Sequence, residues 1–154
     1  MISLKLPDGS KKKFPSSIKG EEVAKSIGSS LLKSAVAISI NGELRDLDYE
    51  IKKDSEVEII TKDSKAGIEI LRHDAAHIMA EAVKTLYSNV QVTIGPPIEN
   101  GFYYDFSKKD PFTPDDLKKI EKKMMEIINR NEPFKREVWD RKKAINYFKN
   151  QGEL

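Results

Sequence analysis

Ile2-Ser3-Leu4-Lys5-Leu6-Pro7-Asp8-Gly9-Ser10-Lys11-Lys12-Lys13-Phe14 opens the chain and contains its first fold decision. Ile2, Leu4 and Leu6 alternate with polar neighbours, the period of a half-buried strand. Pro7-Asp8-Gly9-Ser10 is a turn sequence, because proline presets φ and glycine tolerates positive φ. Lys11 to Phe14 then returns as the second strand of a hairpin. Further on, Glu21 to Ile27 reads as a short helix, with Val23, Ala24 and Ile27 on one side and Gly28 as its stop. Ala35 to Ile40 is a strand, Asn41-Gly42 a strong hairpin turn signal, and Glu56 to Ile60 alternates again.

The order is therefore strand, strand, helix, strand, short pieces, strand. A helix lying across a small curved sheet, the β-grasp arrangement, is the economical way to bury these apolar faces. Thr61 to Gly67 is polar and ends in glycine, which places a boundary there and divides the chain into residues 1–62 and 63–154. Ile68 to about Tyr87 reads as one helix whose buried stripe is Leu71, Ala75, Ile78, Met79, Ala82 and Leu86. Val90 to Ile94 is a strand pattern, Gly95 to Gly101 is too rich in breakers to be regular, and Phe102 to Phe106 is an aromatic strand. Thr113-Pro114-Asp115-Asp116 opens a helix, with Thr as N-cap, Pro at the first position and acids at the positive dipole end. Leu117, Ile120, Met124, Ile127 and Ile128 supply its stripe. Pro133 to Trp139 reads as a strand, and Asp140 caps a last helix carrying Ala144, Ile145 and Phe148. The fold class is α+β throughout. Nothing in the pattern at Gln151-Gly152-Glu153-Leu154 demands a domain end, so the chain reads as part of a longer protein.

Of the 154 residues, 34% are charged and 38% apolar, the balance of a highly charged globular chain. No apolar run approaches the roughly 20 residues that cross a bilayer, so no membrane partner is expected. The N-terminus lacks the pattern of a secretory signal. With no cysteine, disulfides and thiolate chemistry are excluded, and the composition points to the cytoplasm. The net charge of +2, from 27 basic and 25 acidic side chains, is no nucleic-acid signal by itself. Clustering matters more: Lys11 to Lys13, Lys118-Lys119, Lys122-Lys123 and Arg141 to Lys143 are the basic runs, and no aromatics are evident between them.

Both histidines stand four residues apart in Arg72-His73-Asp74-Ala75-Ala76-His77. On a helix they project side by side, roughly 170° from the predicted stripe. Three readings are open. The pair can be surface histidines without a role. It can share a Zn²⁺, in an HxxxH zinc hydrolase, but a zinc site needs a further ligand and the chain has no third His. Asp74, Asp105 and Glu99 are the carboxylates in question, none selected by spacing; Asp74 stands where a His-Glu-x-x-His protease has its glutamate. Third, neutral imidazoles can orient a water or hydroxyl against a bound ester without metal. Tyr103 and Tyr104 are strand neighbours and face opposite ways, so at most one joins the core.

Leu71-Arg72-His73 through His77, followed by Ile94-Gly95-Pro96-Pro97-Ile98-Glu99-Asn100-Gly101-Phe102-Tyr103-Tyr104-Asp105, resembles the start of the editing domain of bacterial threonyl-tRNA synthetases. Leu6-Pro7-Asp8-Gly9-Ser10, Val36-Ala37 and Asn41-Gly42-Glu43-Leu44 resemble the N-terminal TGS domain of the same family, a ubiquitin-like β-grasp module that also occurs in regulatory proteins. The match runs in order over essentially the whole chain. It implies a ligase that attaches threonine to tRNA with ATP, and a region here that helps hydrolyse mischarged seryl-tRNA. It implies catalytic editing roles for His73, His77 and Tyr104, and a loop at Gly95 and Pro96 against the terminal adenosine. It implies no metal in this segment. The family's Cys-x-x-x-His motif, and the core that holds ATP, magnesium, zinc and the homodimer contacts, have no counterpart in these residues. The chain alone is therefore expected neither to charge nor to edit tRNA. Lys118, Lys119, Lys122, Lys123 and Arg141 to Lys143 become candidates for the RNA backbone.

Overall fold

The computed structural model describes residues 1–133 and 135–152, and these divide into two compact units, Met1–His73 and Asp74–Leu154. No described helix is long and apolar enough to cross a membrane.

The first unit runs β1 (Ile2–Lys5), β2 (Lys11–Phe14), β3 (Ile18–Lys19), α1 (Gly20–Ile27), α2 (Ser29–Ser34), β4 (Ala35–Ile40), β5 (Glu43–Arg45), β6 (Glu50–Ile51) and β7 (Ser55–Thr61), and includes the start of α3 (Lys65–Leu86). Five strands form one sheet in the order β2-β1-β7-β4-β5, in which β1 and β7 are parallel and the other pairs antiparallel. This is the β-grasp arrangement, with β3 and β6 as a separate two-stranded pair. Ile2, Leu4, Leu6, Val23, Ile38, Ile51 and Val57 make the core, joined at its edge by Phe14, Ile18, Ile40, Leu47 and Ile59. Ala37 and Ile38 are neighbours on β4 and both are buried, so the sheet is covered on both faces there. Asn41 and Gly42 both take positive φ, 51° and 84°, as a two-residue hairpin turn requires. Gly20 opens α1 so close to β4 that a Cβ would lie 2.9 Å from the Ile38 side chain.

Three local expectations change. Ile27 is exposed rather than packed with Val23 and Ala24, because it sits in the last turn of α1. Gly28 ends that helix in extended backbone, its N–H donating to the Ala24 carbonyl, and α2 follows at once where no helix is expected from the sequence. The helix expected from Ile68 starts earlier. Ser64 caps α3, accepting from the Gly67 N–H at 3.1 Å, so the helix begins at Lys65 instead of Ile68.

The second unit contains the rest of α3, then β8 (Gln91–Val92), β9 (Pro97–Ile98), β10 (Gly101–Phe102), β11 (Phe106–Ser107), α4 (Pro114–Arg130) and α5 (Arg141–Asn150). Its core is Ala82, Val83, Val90 and Ile120, with Met79, Leu86, Tyr87, Phe106, Phe112, Met124 and Ile127 around it. The buried face of α3 is turned relative to the predicted stripe: Ala76 and Val83 are buried and Leu71 is 45% exposed. On α4, Ile120, Met124 and Ile127 face the core as expected, but Leu117 and Ile128 are exposed. Both lie on one flank, roughly 60–80° from that line at ~100° per residue. Thr113 and Asp116 form the predicted cap reciprocally: the Thr113 N–H donates to the Asp116 carboxylate at 3.0 Å and the Asp116 N–H to the Thr113 hydroxyl at 3.2 Å.

The breaker-rich stretch is more regular than expected, since β9 and β10 form a small antiparallel pair around Glu99-Asn100. The aromatic strand is correspondingly interrupted, being β10 and β11 with Tyr103 to Asp105 between them. The strand predicted from Pro133 to Trp139 does not form at 133 or 135–139, and Phe134 lies outside the described residues, as do Glu153 and Leu154. Asp140 does cap α5, accepting from the Lys142 N–H at 2.9 Å. Ile145 and Phe148, expected to be its packed face, are exposed.

Candidate functional site

His73 and His77 stand one helical turn apart on α3, and both are exposed. The rotated core direction, centred near Met79, Ala82, Val83 and Leu86, leaves the pair roughly 150° from the buried face at ~100° per residue. That is less than the predicted opposition, but still outside the core. Ala76, between the two histidines, is buried.

Gly95 and Tyr104 are brought together. β8 and β11 pair antiparallel, with Val92 opposite Phe106. Beyond that pair, the Thr93 N–H donates to the Asp105 carbonyl at 3.2 Å, but the Asp105 N–H returns to Ile94 at 3.1 Å. Two residues therefore oppose one, which is a β-bulge. The Thr93 hydroxyl secures it with a second bond to the Asp105 carbonyl, 2.6 Å long. Past the bulge Gly95 falls opposite Tyr104, and a Cβ at Gly95 would overlap the Tyr104 ring. Face alternation survives the interruption: Tyr103 is 49% exposed, whereas Tyr104 is partly buried and stacks on Phe106 with centroids 4.8 Å apart. Pro96 is partly buried beside Gly95.

Phe106 and the bulge are the supporting parts that motif reading passes over. Phe106 was legible in principle, since Tyr104 and Phe106 are two apart on one strand face; the bulge depends on pairing with a distant segment and leaves no local mark. From Phe106, edge-to-face contacts run to Phe112 at 5.9 Å and on to Tyr87 at 5.7 Å. The Tyr87 hydroxyl donates to the Asp116 carboxylate at 2.8 Å. The Thr113 backbone bond, the Tyr87 hydroxyl and the Thr113 hydroxyl hold Asp116 well below the usual carboxylate range. Loss of solvation, then the hydrogen bond to Asp116 and the charge of that carboxylate, push the Tyr87 phenol up.

No group of three or more His, Asp or Glu side chains among the described residues is disposed to hold a metal ion. The lysines of α4 are largely engaged by their own helix: Lys118 reaches Asp115 at 3.5 Å, Lys119 reaches Asp116 at 3.7 Å, and Lys123 pairs with Glu126. Around Arg141 to Lys143 aromatics are present after all. Lys143 lies 4.2 Å from the Trp139 ring centre, and Trp139 meets Tyr147 edge-on at 5.0 Å. The helix brings Tyr147 back beside Trp139, which spacing along the chain conceals.

A five-stranded mixed sheet with its helix crossing defines a β-grasp domain, and residues 2–61 match the TGS domain. Along its whole length the chain is homologous to threonine–tRNA ligases. It is 57% identical over 152 residues to the threonine–tRNA ligase of Agrobacterium fabrum, covering 99% of this chain and 23% of that protein. The corresponding protein of Rhizobium etli (strain CIAT 652) is 58% identical over 152 residues, again 99% and 23%. That of Pelagibacter ubique is 56% identical over 154 residues, 100% and 24%. The chain thus spans about a quarter of the length of the relatives it matches.

Proposed function

We propose that this chain is the TGS and editing-side segment of a threonine–tRNA ligase, and that residues 63–154 contribute to hydrolysis of seryl-tRNA. The observation that carries the reading is the exposed His73/His77 pair on α3, outside the core, in a chain so similar to these ligases. Serine lacks one methyl group of threonine, a difference worth only about 1–3 kcal/mol in a binding pocket. Some serine is therefore loaded, and a second site must remove it. In the proposed reaction a water adds to the carbonyl carbon of the seryl ester and the bond to the ribose oxygen breaks, giving serine and free tRNA. One imidazole of the pair takes the water's proton and passes it to the departing ribose oxygen, and its neighbour holds the water or the ribose hydroxyl in place. Tyr104 offers its phenol as a hydrogen-bond donor to the bound ester. Pro96 lines the approach of the terminal adenosine, and tRNA is the macromolecular partner. The ATP, magnesium, zinc and dimer contacts of such a ligase belong, in this proposal, to parts that the present residues do not supply.

The test uses the 154-residue chain alone, and a chimera in which it replaces the matching segment of the Agrobacterium fabrum ligase. The chimera should hydrolyse seryl-tRNA, and His73→Ala or His77→Ala should slow it by about 10²–10⁴-fold. The chain alone should stay at background. Hydrolysis by the chimera that ignores both substitutions, or robust hydrolysis by the chain alone, overturns the proposal.

A further inference from the structure

We propose that Gly95 is a positioning residue for Tyr104 and acts by having no side chain, instead of touching the adenosine itself. The inference rests on the editing reading only for its consequence in the reaction; the geometry stands apart from it.

A tyrosine on a strand next to a two-residue bulge has no fixed direction of its own. Here three constraints define it. The Thr93–Ile94 bulge shifts the register by one, so that Gly95 and not Ile94 lies across from Tyr104. The paired residues share one sheet face, so the phenol ring leans over the glycine and fills the volume a Cβ would take. Phe106, two residues on and on the same face, then closes the other side with its ring inclined by only 17° to that of Tyr104. The ring is held between bare backbone and an aromatic plane that is itself packed on the core of the second unit. Any side chain at position 95 expels the ring from that seat. The Thr93 hydroxyl, by locking the bulge, becomes part of the same device.

The seat is read directly by NMR of the 154-residue chain. A Gly95 Hα facing an aromatic ring is shifted upfield, and Tyr104→Leu should abolish that shift. Gly95→Ala should move the Tyr104 ring signals and its contacts to Phe106, while signals of residues 2–61 stay in place. In the chimera, Gly95→Ala should lower kcat for seryl-tRNA hydrolysis by up to ~10²-fold with KM little changed, the signature of a misplaced group. Should Gly95→Ala prove too unstable to study, the pair Tyr104→Ala and Gly95→Ala/Tyr104→Ala replaces it. Removing the ring should make the added methyl nearly neutral to the melting temperature. Gly95→Ala with unmoved Tyr104 signals overturns the proposal, as does a raised KM with the ring still seated, which would make Gly95 a direct ligand contact. An undiminished cost of Gly95→Ala in the Tyr104→Ala background overturns it as well. A displaced ring with unchanged hydrolysis supports the seat and sinks the editing role of Tyr104 instead.

Discussion

Replacing Gly67 by alanine should destabilise the first unit, although the same change in most helices stabilises. Gly67 is the third residue of α3, and alanine there gains about 0.8–1 kcal/mol of helix propensity. Against that gain stands the Thr61 carbonyl, whose oxygen and carbon a Cβ at Gly67 would overlap. The obstacle is backbone, so no rotamer change relieves it. Nor is the carbonyl at liberty to swing, because its oxygen already accepts from the Ser64 N–H at 3.0 Å and the Ser64 hydroxyl at 2.7 Å. Overpacking that must move backbone costs about 1–3 kcal/mol or more, and the upper end applies here. The net effect is a loss of about 1–2 kcal/mol, or roughly 4–16 °C in a unit of this size. The sole tryptophan, Trp139, reports the second unit, so melting of the first is better followed by amide exchange along β7 or by far-UV dichroism. The Ser64 cap and Gly67 together set where α3 begins, and so its phase at His73. A Gly67→Ala protein as stable as the parent, or more so, would refute the close approach and with it the assigned start of the helix.

On α4, Ile120→Ala should cost about 2–5 kcal/mol, since Ile120 is 6% exposed. Leu117→Ala, three residues earlier at 60% exposure, should stay near ~0.5 kcal/mol; equal losses in denaturant titrations would mean the helix is rolled about its axis. Asp116 makes the second unit acid-sensitive. Its folded pKa is depressed, so the stabilisation is fully present above the ordinary aspartate value of 3.8 and drains as pH falls below it towards the folded value. Asp116→Asn should flatten that dependence in Trp139-monitored melts, and an unchanged acid limb would contradict the Tyr87–Asp116–Thr113 arrangement. Thr113→Ala should cost about 1 kcal/mol by loss of the cap. If Arg141 to Lys143 meet an RNA backbone, retardation of tRNA by the chain should weaken steeply with salt, and each phosphate-contacting lysine removed should reduce the log–log slope by about 0.9. Binding indifferent to salt would return them to ordinary surface.

What was legible in the sequence was what is local. The hairpin at Pro7–Ser10, the Asn41-Gly42 turn and the Thr113 cap each place their chemistry within four residues, and each appears where expected. The His73–His77 spacing belongs with them, because a helix fixes it whatever lies around. The misreadings concern choices made by distant partners. Leu117 and Ile128 fit a helical stripe as well as Met124 does, and only the line taken by the packed core decides which flank is wet. Gly67 looks like a linker glycine until the Thr61 carbonyl lies against it. A β-like pattern at 135–139 forms no strand, since a strand needs an edge to pair with as well as alternation.

The same distinction separates the residues of the proposed site. The histidine pair is set by the local geometry of α3, and its mutual spacing survives any change that leaves the helix intact. Tyr104 has no such independence. Its direction is fixed by a register between residues 92–95 and 104–106, by a bulge, and by Phe106 resting on the unit's core. A cavity at Ile120 or a loosened α4 cap acts on that core and so on Tyr104, without altering the turn that separates His73 from His77. Core substitutions in the second unit that leave it folded should therefore disturb the tyrosine's signals while the histidines' spacing holds. The part of the site hardest to read from sequence is the part whose placement depends on the fold.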